Sequence, residues 1–226
     1  MNIDHQLMGK IACGLATLGF LPYVISIFKG RCQVSKAGWI IWTVIGASIF
    51  LSYKTSGAKA SAWVPLSYAI CPALVLAATF YKSRSKEPWP LIDKTCLVTG
   101  LVLFAPWVAF KILEKMNALP SWGGALPGIT LYGTILVDAF GALPTIWKSW
   151  KNPGSEDPWA WVLWTSANLL NLFAVETWAW NIASYAVYMA TPSVLILPSL
   201  IAYRVRGMKM KIQRKKLSSA PAPADP

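Results

Sequence analysis

Charge is scarce in this chain. Only 13% of the 226 residues are Asp, Glu, Lys or Arg, against about a quarter in an ordinary soluble domain. Nine residues are acidic, and the single histidine, His5, lies near the N-terminus. The four cysteines, Cys13, Cys32, Cys71 and Cys96, form no CxxC pair and have no metal-ligand spacing. Three of them lie in or beside apolar runs and read as small buried hydrophobes. These shortages exclude a His/Cys metal centre. No nucleophile–base pair and no phosphate-binding glycine loop is present either, so no enzymatic chemistry, metal or cofactor is expected. A cleavable leader is not expected: Met1 to His5 is polar and brief, and no small-residue cleavage site follows a short apolar core.

What the chain has in plenty is apolar surface. Hydrophobic residues make up 55% of it, Trp alone occurs 13 times, and mean hydropathy is +0.47. The charges sit in short clusters between apolar runs of roughly 17 to 25 residues, the length that crosses a bilayer as a helix. Seven spans are expected, at about residues 7–28, 37–53, 60–80, 91–110, 125–147, 159–175 and 178–203. The fold class is therefore an all-α membrane protein with seven transmembrane helices.

The chain also repeats itself. Residues 19–51 read GFLPYVISIFKGRCQVSKAGWIIWTVIGASIFL, and residues 141–173 read GALPTIWKSWKNPGSEDPWAWVLWTSANLLNLF. At a constant offset of 122, Gly19 meets Gly141, Leu21 meets Leu143, Pro22 meets Pro144 and Lys29 meets Lys151; Trp39, Trp42 and Thr43 meet Trp161, Trp164 and Thr165. After a two-residue gap, Tyr68 and Pro72 pair with Tyr188 and Pro192. This is a duplication, and a duplication governs the architecture. It divides the chain into a first three-helix repeat (7–81), a linker with the fourth span (82–122), a second three-helix repeat (123–204) and a basic tail (205–226) that is expected to be disordered. Two three-span units joined directly would insert upside down to one another. The linker span restores a common orientation, so the expected arrangement is 3+1+3, with parallel repeats about an axis along the membrane normal.

The basic residues set the direction. With the N-terminus outside, sixteen of the 21 Lys and Arg fall on the inner side, leaving only Lys10, Lys54, Lys59, Lys111 and Lys115 outside. That asymmetry is the positive-inside rule, and it places the C-terminus in the cytoplasm. The net charge of +12 is thus a topology signal, not a sign of a nucleic-acid partner. The run from Arg204 to Lys216 is expected to attract anionic lipid, at about 1 kcal/mol per basic residue near the surface. The ending SSAPAPADP cannot bury surface and is expected to be disordered.

Candidate binding residues gather in the second repeat. Trp161, Trp164 and Asn168 are three and seven positions apart, which puts them on one helical face, with Asn171 close to it. Indole faces stack on flat or ring-shaped solutes, and an Asn amide both donates and accepts. The plainer reading makes Trp161 and Trp39 part of an interfacial aromatic belt and Asn168 interhelical glue. Asp138 is the most expensive residue, a carboxyl well inside the fifth span, which points to function by default. It can couple transport to a proton or hydrogen-bond a substrate hydroxyl or cation; the alternative is a protonated or paired structural carboxyl. Glu176, at a span end, reads as solvated. Pro22, Pro65, Pro72, Pro144 and Pro192 fall inside expected helices and remove backbone bonds there.

Leu-Pro, a Lys seven residues after the Pro, a polar loop and an aromatic-rich second helix together resemble the PQ-loop repeat. Two such repeats in a 3+1+3 layout resemble the SWEET sugar transporters and their relatives. The WxxWxxxN run of Trp161, Trp164 and Asn168 is similar to the signature of bacterial nicotinamide-riboside transporters; the first repeat keeps Trp39 and Trp42, with Gly46 at the Asn position. The resemblance implies a central solute site lined by Trp42, Trp161, Trp164, Asn168, Asn171 and Asp138. It also implies hinges at Pro22, Pro72, Pro144 and Pro192, by which the halves rock between open states. The expected function is a bacterial inner-membrane transporter or facilitator of a small polar solute, sugar or vitamin-like, by alternating access. A ligand-sensing or cargo-binding receptor on the same fold is the alternative. Retinal binding is excluded, because the seventh span has no Lys for a Schiff base. Self-association stays open.

Overall fold

A computed structural model of the chain describes residues 4–82, 89–118 and 126–218. The charged linker residues 83–88, which hold Arg84 and Lys86, lie outside the described residues, as does the ending 219–226 expected to be disordered. All regular structure among the described residues is helical. The helices are α1 (His5–Phe28), α2 (Lys36–Thr55), α3 (Trp63–Ile70), α4 (Pro72–Lys82), α5 (Leu91–Lys115), α6 (Leu126–Lys151), α7 (Pro158–Leu172) and α8 (Trp180–Ser218). A 3-10 turn, Ala60–Ala62, leads into α3. Counting Ala60–Lys82 as one path, six helical stretches are long and apolar enough to cross a membrane, as an integral membrane protein requires.

Local chemistry sets the helix starts. Asp4 caps α1 by accepting from the Leu7 N–H, Ser35 caps α2 through Gly38, and Asp157 caps α7 through Trp159 and Ala160. Each side-chain oxygen satisfies amides that the first turn leaves free.

Three expectations need correction. First, the sixth span is shorter than 159–175: α7 has 15 residues. At 1.5 Å per residue that is about 22 Å, less than the ~30 Å hydrocarbon core. The Phe173 and Ala174 amides fall back to carbonyls three residues earlier, Leu170 and Asn171, and the helix stops there. Second, Pro72 is not inside a helix. The third span breaks at Cys71, and Pro72 is the first residue of α4. Having no N–H, Pro72 interrupts the ladder after the Cys71–Ser67 bond, and a tighter Leu74–Cys71 bond restarts it. Pro65 likewise sits in the first turn of α3, whereas Pro22, Pro144 and Pro192 are interior to α1, α6 and α8. Third, the tail expected to be disordered from residue 205 is helical to Ser218. Met208 to Lys216 is rich in good helix formers, and no proline intervenes before Pro221. At 39 residues, α8 is about 58 Å long and must project well beyond a bilayer core.

The most extensive packing pairs α1 with α7 and α2 with α6, while α5 leans on α6 and α2 and is the least buried of the long helices. Close approach at both main seams depends on glycine. A Cβ on Gly19 would meet the Trp164 indole nitrogen at 2.6 Å, and one on Gly141 would meet that of Trp42 at 3.0 Å. At the offset of 122 these two contacts are counterparts. Five other tryptophans, Trp147, Trp150, Trp159, Trp178 and Trp180, are exposed near helix ends, where interfacial belts form.

Candidate functional site

Trp39 and Trp161 do not belong to that rim. They are 3% and 4% exposed and sit one turn into α2 and α7. Each stands edge-on to the next tryptophan of its own helix: Trp39 to Trp42 at 88° with centroids 5.0 Å apart, Trp161 to Trp164 at 82° and 5.1 Å. The two pairs meet at Trp39 and Trp164, 6.0 Å apart. Phe20 and Tyr23 of α1 fill the angle between them, each within 5.2 Å of Trp164. Edge-to-face geometry is what aromatic quadrupoles favour, so the indole frame is rigid as well as apolar.

This frame walls one side of a cavity of about 90 Å³. Both halves of the chain line it. From the first come Trp39, Trp42 and Tyr68; from the second come Asp138, Trp161, Trp164 and Asn168. Five of the six expected contact residues therefore converge here: Trp42, Trp161, Trp164, Asn168 and Asp138. Pro72 and Pro192 also reach the wall, whereas Pro22 and Pro144 do not. Asn171 is the exception among the contact residues. It is fully buried outside the cavity, and neither amide atom has a partner. The volume is below the ~300–1,000 Å³ of a typical ligand pocket, so a vitamin-sized solute needs the helices to part.

The polar groups around the cavity are largely spoken for. Asn168 accepts from the Tyr68 hydroxyl at 3.2 Å and donates to Ser193 at 3.0 Å, joining α7 to α3 and α8. It is thus interhelical glue and cavity wall at once. Asp138 accepts from the Tyr188 hydroxyl at 2.5 Å. The Trp164 indole donates to the Ala16 carbonyl at 3.0 Å. Trp39 Nε1 is buried with no partner. Tyr68, Tyr188 and Ser193 were not singled out in the sequence as site residues; the Tyr68–Tyr188 repeat pairing was the one available signal.

A second cluster was missed altogether. Glu156, in the loop before α7, is 4% exposed. Its Oε2 accepts from Tyr23 at 2.8 Å and from Trp161 Nε1 at 3.0 Å, and its Oε1 lies 2.5 Å from Lys148 Nζ. Next to it, Ser26 donates to Asp157. Burial, and then the Glu156 charge, push the Cys32 thiol well above its ordinary range. This knot ties α1, α6 and the start of α7 together at one end of the cavity.

Among the described residues no group of His, Cys, Asp and Glu could hold a metal ion. Comparison of the chain with protein families, curated proteins and solved structures finds no match.

Proposed function

We propose that this protein is a transporter or facilitator of a small polar solute, which it binds in the Trp/Asn cavity between two three-helix units. One observation carries the reading: residues from both copies of a duplicated sequence close around a single cavity at mid-helix depth, with an uncompensated acidic side chain in its wall. Symmetric seams with an asymmetric site suit a solute passing between two rocking halves. The reciprocal Gly19–Trp164 and Gly141–Trp42 contacts support two parallel units. With the N-terminus outside and α8 ending in the cytoplasm, the Glu156 knot lies toward the inner face of a bacterial plasma membrane. Trp42, Trp164 and Asn168 contact the solute, and Asp138 tunes or couples the cycle. Pro22, Pro144 and Pro192 serve as interior bending points, with the Cys71–Pro72 break as a fourth. The resemblance noted in the sequence implies a sugar or vitamin-like solute.

The receptor reading draws on one feature, the helical extension of α8 past its apolar part, which offers a partner a surface. Deleting residues 207–226 separates the two: a transporter keeps its flux, and a receptor loses its signal. The direct test is a thermal-shift screen of the purified protein against small solutes, repeated with Asn168→Ala. Hits should vanish in the variant; hits that all survive place the solute elsewhere.

A further inference from the structure

The wall of the cavity restricts what it can hold, and this step rests on the transport-site reading above. Asp138 is the only charged side chain in that wall, and neither of the ion pairs among the described residues involves it. Its one hydrogen bond comes from an uncharged hydroxyl, that of Tyr188. A carboxylate so placed, 9% exposed, has no counter-charge among the described residues. The remaining surface is overwhelmingly apolar and aromatic.

A sugar suits such a wall poorly. Each of its hydroxyls gives up water on binding, and each needs a partner in return. Yet Asn168 already bonds Tyr68 and Ser193, and the Trp161 and Trp164 N–H groups donate to Glu156 and Ala16, so beside Asp138 little more than the unpartnered Trp39 N–H and the spare capacity of Asn168 is left for several hydroxyls. An alkylammonium ion has the opposite needs. It carries a positive charge, few or no hydrogen-bonding groups and a compact apolar shell. Indole faces attract such a charge through the ring quadrupole, most strongly when it is desolvated. Two edge-on tryptophan pairs, at 88° and 82° and meeting at Trp39 and Trp164, give one side of the cavity indole walls in several orientations.

We infer that the cavity is an aromatic cage for a compact alkylammonium cation, of tetramethylammonium to choline size, with Asp138 supplying the counter-charge. The small cavity, about 90 Å³, favours a compact ion over a larger ring system.

The experiment titrates the purified full chain in detergent with tetramethylammonium, choline, the neutral carbon isostere 3,3-dimethyl-1-butanol and a hexose, reading tryptophan fluorescence, with sodium chloride as the ionic control. Choline should bind roughly tenfold or more tighter than its isostere. Asp138→Asn, which keeps the shape and can still pair with Tyr188, should cut that preference severalfold, leaving only the share due to the indole faces. Trp42→Leu, at a half-buried wall position, should weaken both cations and so covers the case in which Asp138→Asn does not fold. Equal binding of choline and isostere, a preference that Asp138→Asn leaves undiminished, or no cation binding overturns the inference. Flux into liposomes separates it from the transport reading. Cation binding without cation flux leaves the cage standing and removes transport; saturable hexose flux that Trp164→Ala removes, without cation binding, does the reverse.

Discussion

Ser35 caps α2 and Asp157 caps α7, and four residues further on each helix places a tryptophan, Trp39 or Trp161, in the same aromatic cluster. Up to that point the two helix starts match. They differ one residue before the cap. The second half has Glu156, whose carboxylate engages Trp161, Tyr23 and Lys148. The first has Val34, and the groups that correspond to Trp161 and Tyr23, the Trp39 indole and the Thr145 hydroxyl, are both buried without partners. One scaffold thus has a more tightly and a less tightly fastened side. The tighter side carries several desolvated polar ties that must break together. The other has fewer ties, Ser35 donating to Asp93 at 2.9 Å and Lys148 donating to the Gln33 carbonyl, and it leaves two buried donors unpaired, so parting of the helices should begin there.

The largest expected effect comes from cutting the tighter side. Glu156→Ala leaves Lys148 only the Gln33 carbonyl, strands two buried donors, and should lower unfolding stability by about 3 kcal/mol, read by chemical unfolding in detergent. Val34→Ala should cost about 1 kcal/mol or less, because the site is only half-buried and no polar tie is lost. Similar losses at the two positions would erase the contrast. Next come the glycine seams. Gly19→Ala forces a methyl against Trp164 at 2.6 Å and should cost about 2 kcal/mol, while Gly141→Ala, with its nearest atoms at 3.0 Å, should cost about 1; equal costs would mean the indoles yield freely.

A smaller contrast lies within α7. Asn168→Ala leaves Tyr68 and Ser193 short of a partner and should cost about 1–2 kcal/mol. Asn171→Leu removes a buried amide that bonds nothing and should be neutral or gain about 1 kcal/mol. A clear loss in Asn171→Leu would show that the amide has a partner after all. The finest probe is Cys32. Its raised pKa keeps the thiol protonated near neutral pH, so alkylation should be slow, should quicken as pH rises, and should quicken again in Glu156→Gln, where the neighbouring anion is gone. Alkylation at the rate of a free cysteine would contradict the packing of that loop.

How far the sequence reveals this arrangement follows from which interactions are local. Span positions are legible because apolar run length alone sets them, and the Trp39/Trp161 correspondence because identical residues recur at one offset. Three features are not. Pro72 reads as interior to a helix, since only the path of the chain at Cys71 makes it a helix start. Asn171 shares a face with Asn168 by angle, but the cavity ends a turn earlier. Glu156 looks like one charge in the loop KSWKNPGSEDP, because Tyr23 reaches it from 133 residues away and loop composition carries no trace of that. The Asp138–Tyr188 bond is hidden for the same reason, although the carboxyl itself stands out by its cost in a membrane.

The most direct test is solute uptake into liposomes holding the purified full chain, wild type beside Trp164→Ala, with labelled choline and a labelled hexose. The account predicts saturable uptake of a small solute, falling by roughly tenfold or more in a folded Trp164→Ala variant. Saturable uptake that Trp164→Ala leaves intact, or a solute that binds the cavity and never crosses, would contradict it.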